Sequence, residues 1–244
     1  MEKNQTVQMV KLVTPGQMKD IISAVAQAIP TNMSFDTAKY WIGKKGKLGN
    51  KVKNIFMSEN PYSDLILAQE KFYRDLGIDC DLSDVRIPDD PGGFGRVIIM
   101  AKGITPQSAY DFCAKFFTCW KWTDKSLDEV IDFSFQTRST KNGSYAIRIR
   151  DRVEADEELK NLSANQIAAQ SIPSITLEER LIYELQYFKG TGKHLDINNI
   201  TLSAGSRDSD GFVPRVYWYD GKLKVYYFHP DVADGRLRSR QVVS

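Results

Sequence analysis

The sequence predicts an α+β protein, with a small basic helical unit over residues 1–60 and a mixed domain over 61–244. The sheet of that domain is expected to be mainly antiparallel and to include a C-terminal β-hairpin. Three observations predict this. Apolar residues recur at spacings of three and four behind capping signals at Thr14 and Thr176, which makes helices in both parts of the chain. Two aromatic runs flank Asp220-Gly221, a dipeptide favoured where both central residues of a tight turn need positive φ. The 244 residues are 42% apolar and 26% charged, ordinary values that argue against disorder, collagen or a coiled coil.

The elements follow in order. Thr14-Pro15-Gly16-Gln17 offers a capping residue, a proline at the first helical position and a glutamine at the third. Met18, Ile21, Ile22, Val25 and Ile29 then form one stripe, which Pro30 ends. Ser34 caps a second helix carrying Phe35, Ala38, Trp41 and Ile42. Gly43 to Gly49 is expected to be a basic loop. A third short helix carries Val52, Ile55 and Phe56 and ends at Glu59-Asn60-Pro61. Leu65, Ile66, Ala68, Phe72 and Leu76 predict a helix over 62–76 that Gly77 stops. An acidic, turn-rich stretch follows from Asp75 to Asp90.

Arg96 to Ala101 is a buried strand, Thr105-Pro106 opens a helix through Phe117, and Ser126 opens a shorter one. Ser144 to Arg150 is a strand, and Val153 to Gln170 is one helix or two joined near Ser163. Thr176 and Glu179 form a capping box for a helix carrying Leu177, Leu181, Ile182, Leu185 and Phe188, which Gly190 and Gly192 stop. Asn199–Ala204 and Leu237–Val243 are strands. Across the turn, 219 pairs with 222, 218 with 223 and 216 with 225. One hairpin face then holds Val216, Trp218, Leu223, Val225 and Tyr227, and the other holds Arg215, Tyr217, Tyr219, Lys222, Lys224 and Tyr226.

Charge is uneven along the chain. Residues 1–55 hold nine lysines and three acids, a net +6, whereas the remainder is −4. Lys44, Lys45, Lys47 and Lys51 cluster in the basic segment and suit a phosphate backbone, although no arginine is present there to read bases. Two arginine rows stand out further on. Arg148, Arg150 and Arg152 alternate with Ile147, Ile149 and Val153, and Arg236, Arg238 and Arg240 alternate with Leu237, Ser239 and Gln241. On a strand each row shares a face, and guanidinium groups pair with phosphate or carboxylate. Nearby acids offer an internal alternative: Asp151, Glu154, Asp156, Glu157 and Glu158 beside the first row, Asp231 and Asp234 before the second. The hairpin face, with Tyr217, Tyr219 and Lys224, has the interleaved rings and cations that single-strand binders use, and also the composition of an ordinary outer sheet face.

Catalytic signatures are sparse. His194 and His229 have no second ligand at metal spacing, and the cysteines suit neither a CxxC pair nor a zinc site, so no cofactor or metal is expected. The glycine motifs lack the context of a phosphate loop. Asp208 and Asp210 could join Asp151 or Glu154 around a metal, yet the loop lacks a full calcium pattern. No apolar run is long enough to span a membrane, the first sixteen residues lack a secretory core, and unpaired cysteines suit the cytoplasm.

The segments Ser144–Leu159, Gly192–Asp196, Ala204–Arg207 and Leu237–Arg240 resemble those of a bacterial family of hypothetical proteins without an assigned activity. The resemblance covers about the last two-thirds of the chain and implies no residue role. The expected function is therefore that of a non-enzymatic binding protein whose cationic surface takes nucleic acid or another polyanion, an acidic protein surface included, and not a membrane. The alternatives are metal-dependent phosphodiester cleavage and an assembly protein whose arginine rows meet carboxylates of a partner.

Overall fold

Thr14 opens α1 (Pro15–Gln27) with the reciprocal bonds that its spacing to Gln17 predicts. The Gln17 N–H donates to Thr14 Oγ1 at 3.2 Å, and the Thr14 N–H donates to Gln17 Oε1 at 2.9 Å. Ser34 accepts from the Thr37 N–H to cap α2 (Phe35–Gly43). The expected basic loop is mostly helix, because α3 (Lys45–Ser58) begins at Lys45 and runs through Gly46 and Gly49. A glycine inside a helix costs only about 1 kcal/mol against alanine, which the lysine and leucine neighbours tolerate. The computed structural model describes residues 14–58 and 61–244, without the side chains of 54 and 56–58. The expectations for a secretory core, for the Phe56 side chain and for a helix end at Glu59-Asn60 therefore lie outside the described residues.

The chain divides into two units, Met1–Glu59 and Asn60–Ser244. In the second unit, α4 (Ser63–Arg74) is followed by the acidic turns, β1 (Arg96–Met100) and α5 (Pro106–Ala114). Then come β2 (Cys119–Lys121), α6 (Leu127–Val130), β3 (Tyr145–Ile149), α7 (Ala164–Ala169) and α8 (Leu177–Thr191). The chain ends with β4 (Ile200–Leu202), β5 (Val213–Tyr219), β6 (Lys222–Phe228) and β7 (Leu237–Arg238). β1 and β3 form an antiparallel pair, with Ile98 opposite Ile147. The other sheet runs β2-β6-β5-β4-β7, antiparallel at its centre and parallel at both edges.

The hairpin register is the expected one, Tyr219 opposite Lys222 and Val216 opposite Val225, with φ of 53° at Asp220 and 69° at Gly221. Its Val216, Leu223 and Val225 side chains are buried. α8 packs against β1 of one sheet and β5 of the other, with α5 alongside. Its residues from Leu177 to Leu185 are all buried, charged ones included, and Gly192 in the left-handed region closes its C-terminus.

Some expectations change. The last strand is only two residues long, and beyond it Gln241 and Val243 make isolated bridges to Ser174 and Arg148. Val153–Gln170 is a single 3-10 turn at Glu157–Leu159 followed by α7, which Ser163 caps. β2 has no counterpart in the sequence reading. Among the described residues, no helix is long and apolar enough to cross a membrane.

Candidate functional site

The members of the arginine rows are divided among separate internal partners. β3 ends at Ile149, so only Arg148 of the first row lies on the strand. Arg148 is buried, and its guanidinium donates to the carbonyls of Pro88 and Phe94 and to Tyr62 Oη. Arg150 Nη1 meets Asp156 Oδ2 at 2.6 Å, and Arg152 holds Glu158 with two bonds at 2.6 and 3.0 Å. Arg152 thereby holds the Glu158 carboxyl down at about 2. In the second row, Arg238 pairs with Glu157 and Asn199 and Arg240 with Asp196, while Arg236 stays exposed beside Asp234. Internal carboxylates thus engage Arg150, Arg152, Arg238 and Arg240, whereas Arg148 is held by carbonyls and Tyr62.

These segments converge on a buried charge network. Arg180 of α8 donates to Glu184 Oε2 and to Asp196 Oδ2, each at 2.8 Å, and Arg240 donates to Asp196 Oδ1 at 2.7 Å. Arg240 also donates to the carbonyls of Arg152 and Val153, and the Thr201 hydroxyl donates to Asp196. Burial would raise the Asp196 carboxyl, but the Arg240 and Arg180 guanidiniums beside it hold it below its ordinary value. Glu184 reaches out to His194 Nδ1 at 2.9 Å, and the imidazole stacks on Trp218 with centroids 3.3 Å apart. Two guanidiniums facing two carboxylates leave no net charge for a ligand, and the four side chains are fully buried. The network ties α8, the 196 turn and the C-terminal segment together. Arg180 and Glu184 escaped the sequence reading because an i,i+4 ion pair resembles a solvated helix face.

The outer face of the five-stranded sheet is different. α7 covers its β4 end, packing Ala164 and Ile167 with Leu202 and Val213. Beyond that cover, Arg215, Tyr217 and Tyr219 of β5 alternate outward beside Lys222, Lys224, Tyr226 and Phe228 of β6. β2 adds Trp120 at the edge, in register with Lys224 and stacked on Tyr226 at 5.6 Å and 15°. Trp120 is 42% exposed and Tyr219 62%. Lys224 Nζ lies 4.8 Å from the Tyr219 ring centre. The Arg215 guanidinium lies over Phe228 at 3.7 Å, with Tyr226 at 4.9 Å and Tyr217 at 5.3 Å. Among the described residues, no carboxylate forms a salt bridge to Arg215, Lys222 or Lys224, and the buried Arg215 Nε has no hydrogen-bond partner. Burial lowers the Arg215 guanidinium from its ordinary value. Trp120 was missed because β2 is too short to show a pattern; the adjacent Cys-Trp-Lys-Trp run was its only signal.

Lys44 sits at the end of α2, and Lys45, Lys47 and Lys51 lie on α3, all exposed. Lys47 Nζ donates to Tyr40 Oη at 3.1 Å.

Three of the four acids proposed for a metal are separately engaged: Asp151 with Arg96, Glu154 with the amides of Asn198 and Asn199, and Asp208 with the backbone of Asp210 and Phe212. No metal-holding group of His, Cys, Asp or Glu occurs among the described residues. Cys113 is buried as expected, whereas Cys80 and Cys119 are half-buried. Burial pushes the Cys119 thiol up to about 12, away from the thiolate a nucleophile needs. Asp79, Cys80, Asp84 and Lys102 line an open cavity of about 530 Å³.

In comparisons with family models, curated proteins and solved structures, this chain finds no match.

Proposed function

We propose that the protein is a non-enzymatic binder of single-stranded nucleic acid, and that the outer face of β5, β6 and β2 is its interface. The observation that carries this is the contrast between cations: Arg148, Arg150, Arg238 and Arg240 are engaged internally, whereas Arg215 and Lys224 lie against aromatic rings and, like Lys222, form no carboxylate salt bridge among the described residues. Flat rings accept bases by stacking whatever their identity, and unpaired cations neutralise the phosphates between them. Trp120 and Tyr219 are the exposed platforms, Tyr217 and Tyr226 line the strip between, and Lys224 and Lys222 are the phosphate contacts. Arg215 of this face keeps its guanidinium over Phe228, and stacking on rings with lysines at the phosphates favours binding with little sequence preference. The free thiols of Cys80, Cys113 and Cys119 are in keeping with a cytoplasmic setting.

Fluorescence anisotropy with a short labelled single strand tests this. Binding is expected at low salt and should weaken steeply as salt rises. Trp120→Ala should bind roughly 5- to 150-fold more weakly, the worth of one stacked base. Lys224→Ala should flatten the salt dependence. An absence of binding at low salt, or a Trp120→Ala variant that binds like the parent, would overturn the proposal.

A further inference from the structure

We infer that the first unit docks on an anionic lipid surface, lying on the bilayer without crossing it. Its helices α1 and α2 contain no buried residue, although both carry apolar stripes. Met18 is 47% exposed, Ile22 61%, Phe35 80%, Ile42 67% and Ile55 65%. Apolar side chains exposed along a helix face at helical spacing mark a contact. On α1, Met18, Ile21, Ile22 and Val25 stand at the i, i+3, i+4, i+7 spacing of one face. On α3, Leu48, Val52 and Ile55 share a face, and the 100° step per residue puts Lys45 and Lys51 on its two borders.

Charge selects the occupant. Residues 14–58 contain seven lysines, Asp20 and Asp36 as the only acids, and no arginine. A nucleic acid would match the lysines and leave the isoleucines, Phe35 and Leu48 uncovered. A second copy would cover the apolar stripes but bring the same excess of positive charge against itself. An anionic bilayer answers both, taking the stripes into its acyl boundary and the bordering lysines among its headgroups. The lack of a spanning helix does not bear on this, since a helix lying in the interface needs only one apolar face.

Co-sedimentation of the full chain with vesicles tests the assignment. Binding should be strong to phosphatidylglycerol-rich vesicles, at least tenfold weaker to pure phosphatidylcholine, and reduced by salt. The double variant Ile22→Asp, Phe35→Asp should lose at least tenfold in partitioning, and so should Lys45→Glu, Lys51→Glu. All four positions are exposed, so unchanged circular dichroism is expected and isolates the surface effect. Trp120→Ala should leave vesicle binding unchanged, which separates this surface from the proposed nucleic-acid face. Equal partitioning into both vesicle types would overturn the inference. So would a failure to bind vesicles, whether the chain is then monomeric or forms a concentration-dependent oligomer that Ile22→Asp, Phe35→Asp dissolves.

Discussion

α1 and α8 begin in the same way and end in opposite environments. Each opens on a threonine whose hydroxyl accepts from the third helical N–H while the third side chain returns the bond, Gln17 in α1 and Glu179 in α8. Each carries apolar residues at helical spacing. Yet α1 buries none of its residues, whereas α8 buries an unbroken run from Leu177 to Leu185, including Glu178, Glu179, Arg180 and Glu184. The difference teaches that capping and periodicity report where a helix starts and which face is apolar. They do not report how many faces its neighbours cover. A helix between two sheets is enclosed even on its charged side, and those charges then require partners of their own.

The largest expected effect breaks that enclosure. Arg180→Ala removes one guanidinium from the buried network, leaving Asp196 to Arg240 and Thr201 and Glu184 to His194, and should cost roughly 3–5 kcal/mol in urea unfolding. Lys19→Ala on α1, at an exposed position, should move stability by no more than about 0.5 kcal/mol. Equal losses at the two positions would erase the distinction between the helices.

Apolar truncation sharpens the comparison. Leu181 is fully buried, and Leu181→Ala should cost roughly 2–5 kcal/mol. Ile22→Ala, at a side chain 61% exposed, should be nearly neutral in the absence of lipid. A large loss at Ile22 would mean that α1 is covered in solution.

The third effect depends on pH. Burial, reinforced by the neighbouring Glu179 carboxylate, pushes the Glu178 carboxyl up to about 7. Its proton is therefore held more tightly in the folded chain than in the unfolded one. The associated stability is fully present below the ordinary carboxyl range and is lost as pH rises through about 7, a change of about 3 kcal/mol. Unfolding free energy measured from pH 5 to pH 8 should fall in the parent and stay flatter in Glu178→Gln. A parallel fall in both would assign the effect to another group.

The smallest effect concerns the caps. Thr176→Ala should cost about 1 kcal/mol of global stability. Thr14→Ala removes the same bond from α1 and should lower only the helical circular dichroism signal, leaving the unfolding midpoint of the second unit in place.

Legibility followed locality. The hairpin register was readable because Asp220-Gly221 fixes the pair Tyr219–Lys222 three positions apart, and every other pair follows by stepping outward from it. The boxes at Thr14 and Thr176 were readable for the same reason, since each bond spans three residues. β2 was not, because three residues at Cys119–Lys121 show no periodicity and pair with β6 about a hundred positions away. The Gly43–Gly49 segment is glycine-rich enough to suggest a loop, yet α3 begins at Lys45 and its lysines and Leu48 carry the helix through Gly46 and Gly49. Of the candidate interface, Tyr217, Tyr219 and Lys224 were named from alternation alone, while Trp120 needed the sheet to bring β2 alongside.

From the amino-acid order come the α+β class, the helix starts, the tight turn and the side of the hairpin on which each residue lies. Those features depend on contacts within a few residues, and the side-chain types that satisfy such contacts are written consecutively in the chain. The state of each charge could not be obtained that way. Arg150, Arg238 and Arg240 look like free cations in a row, and Lys224 looks no different from them. Folding brings Asp156, Glu157 and Asp196 against the arginines and no carboxylate salt bridge against Lys224 among the described residues. Desolvated charges must find partners wherever the chain places them, so only three-dimensional proximity separates the guanidiniums that hold the fold from the cations left facing outward.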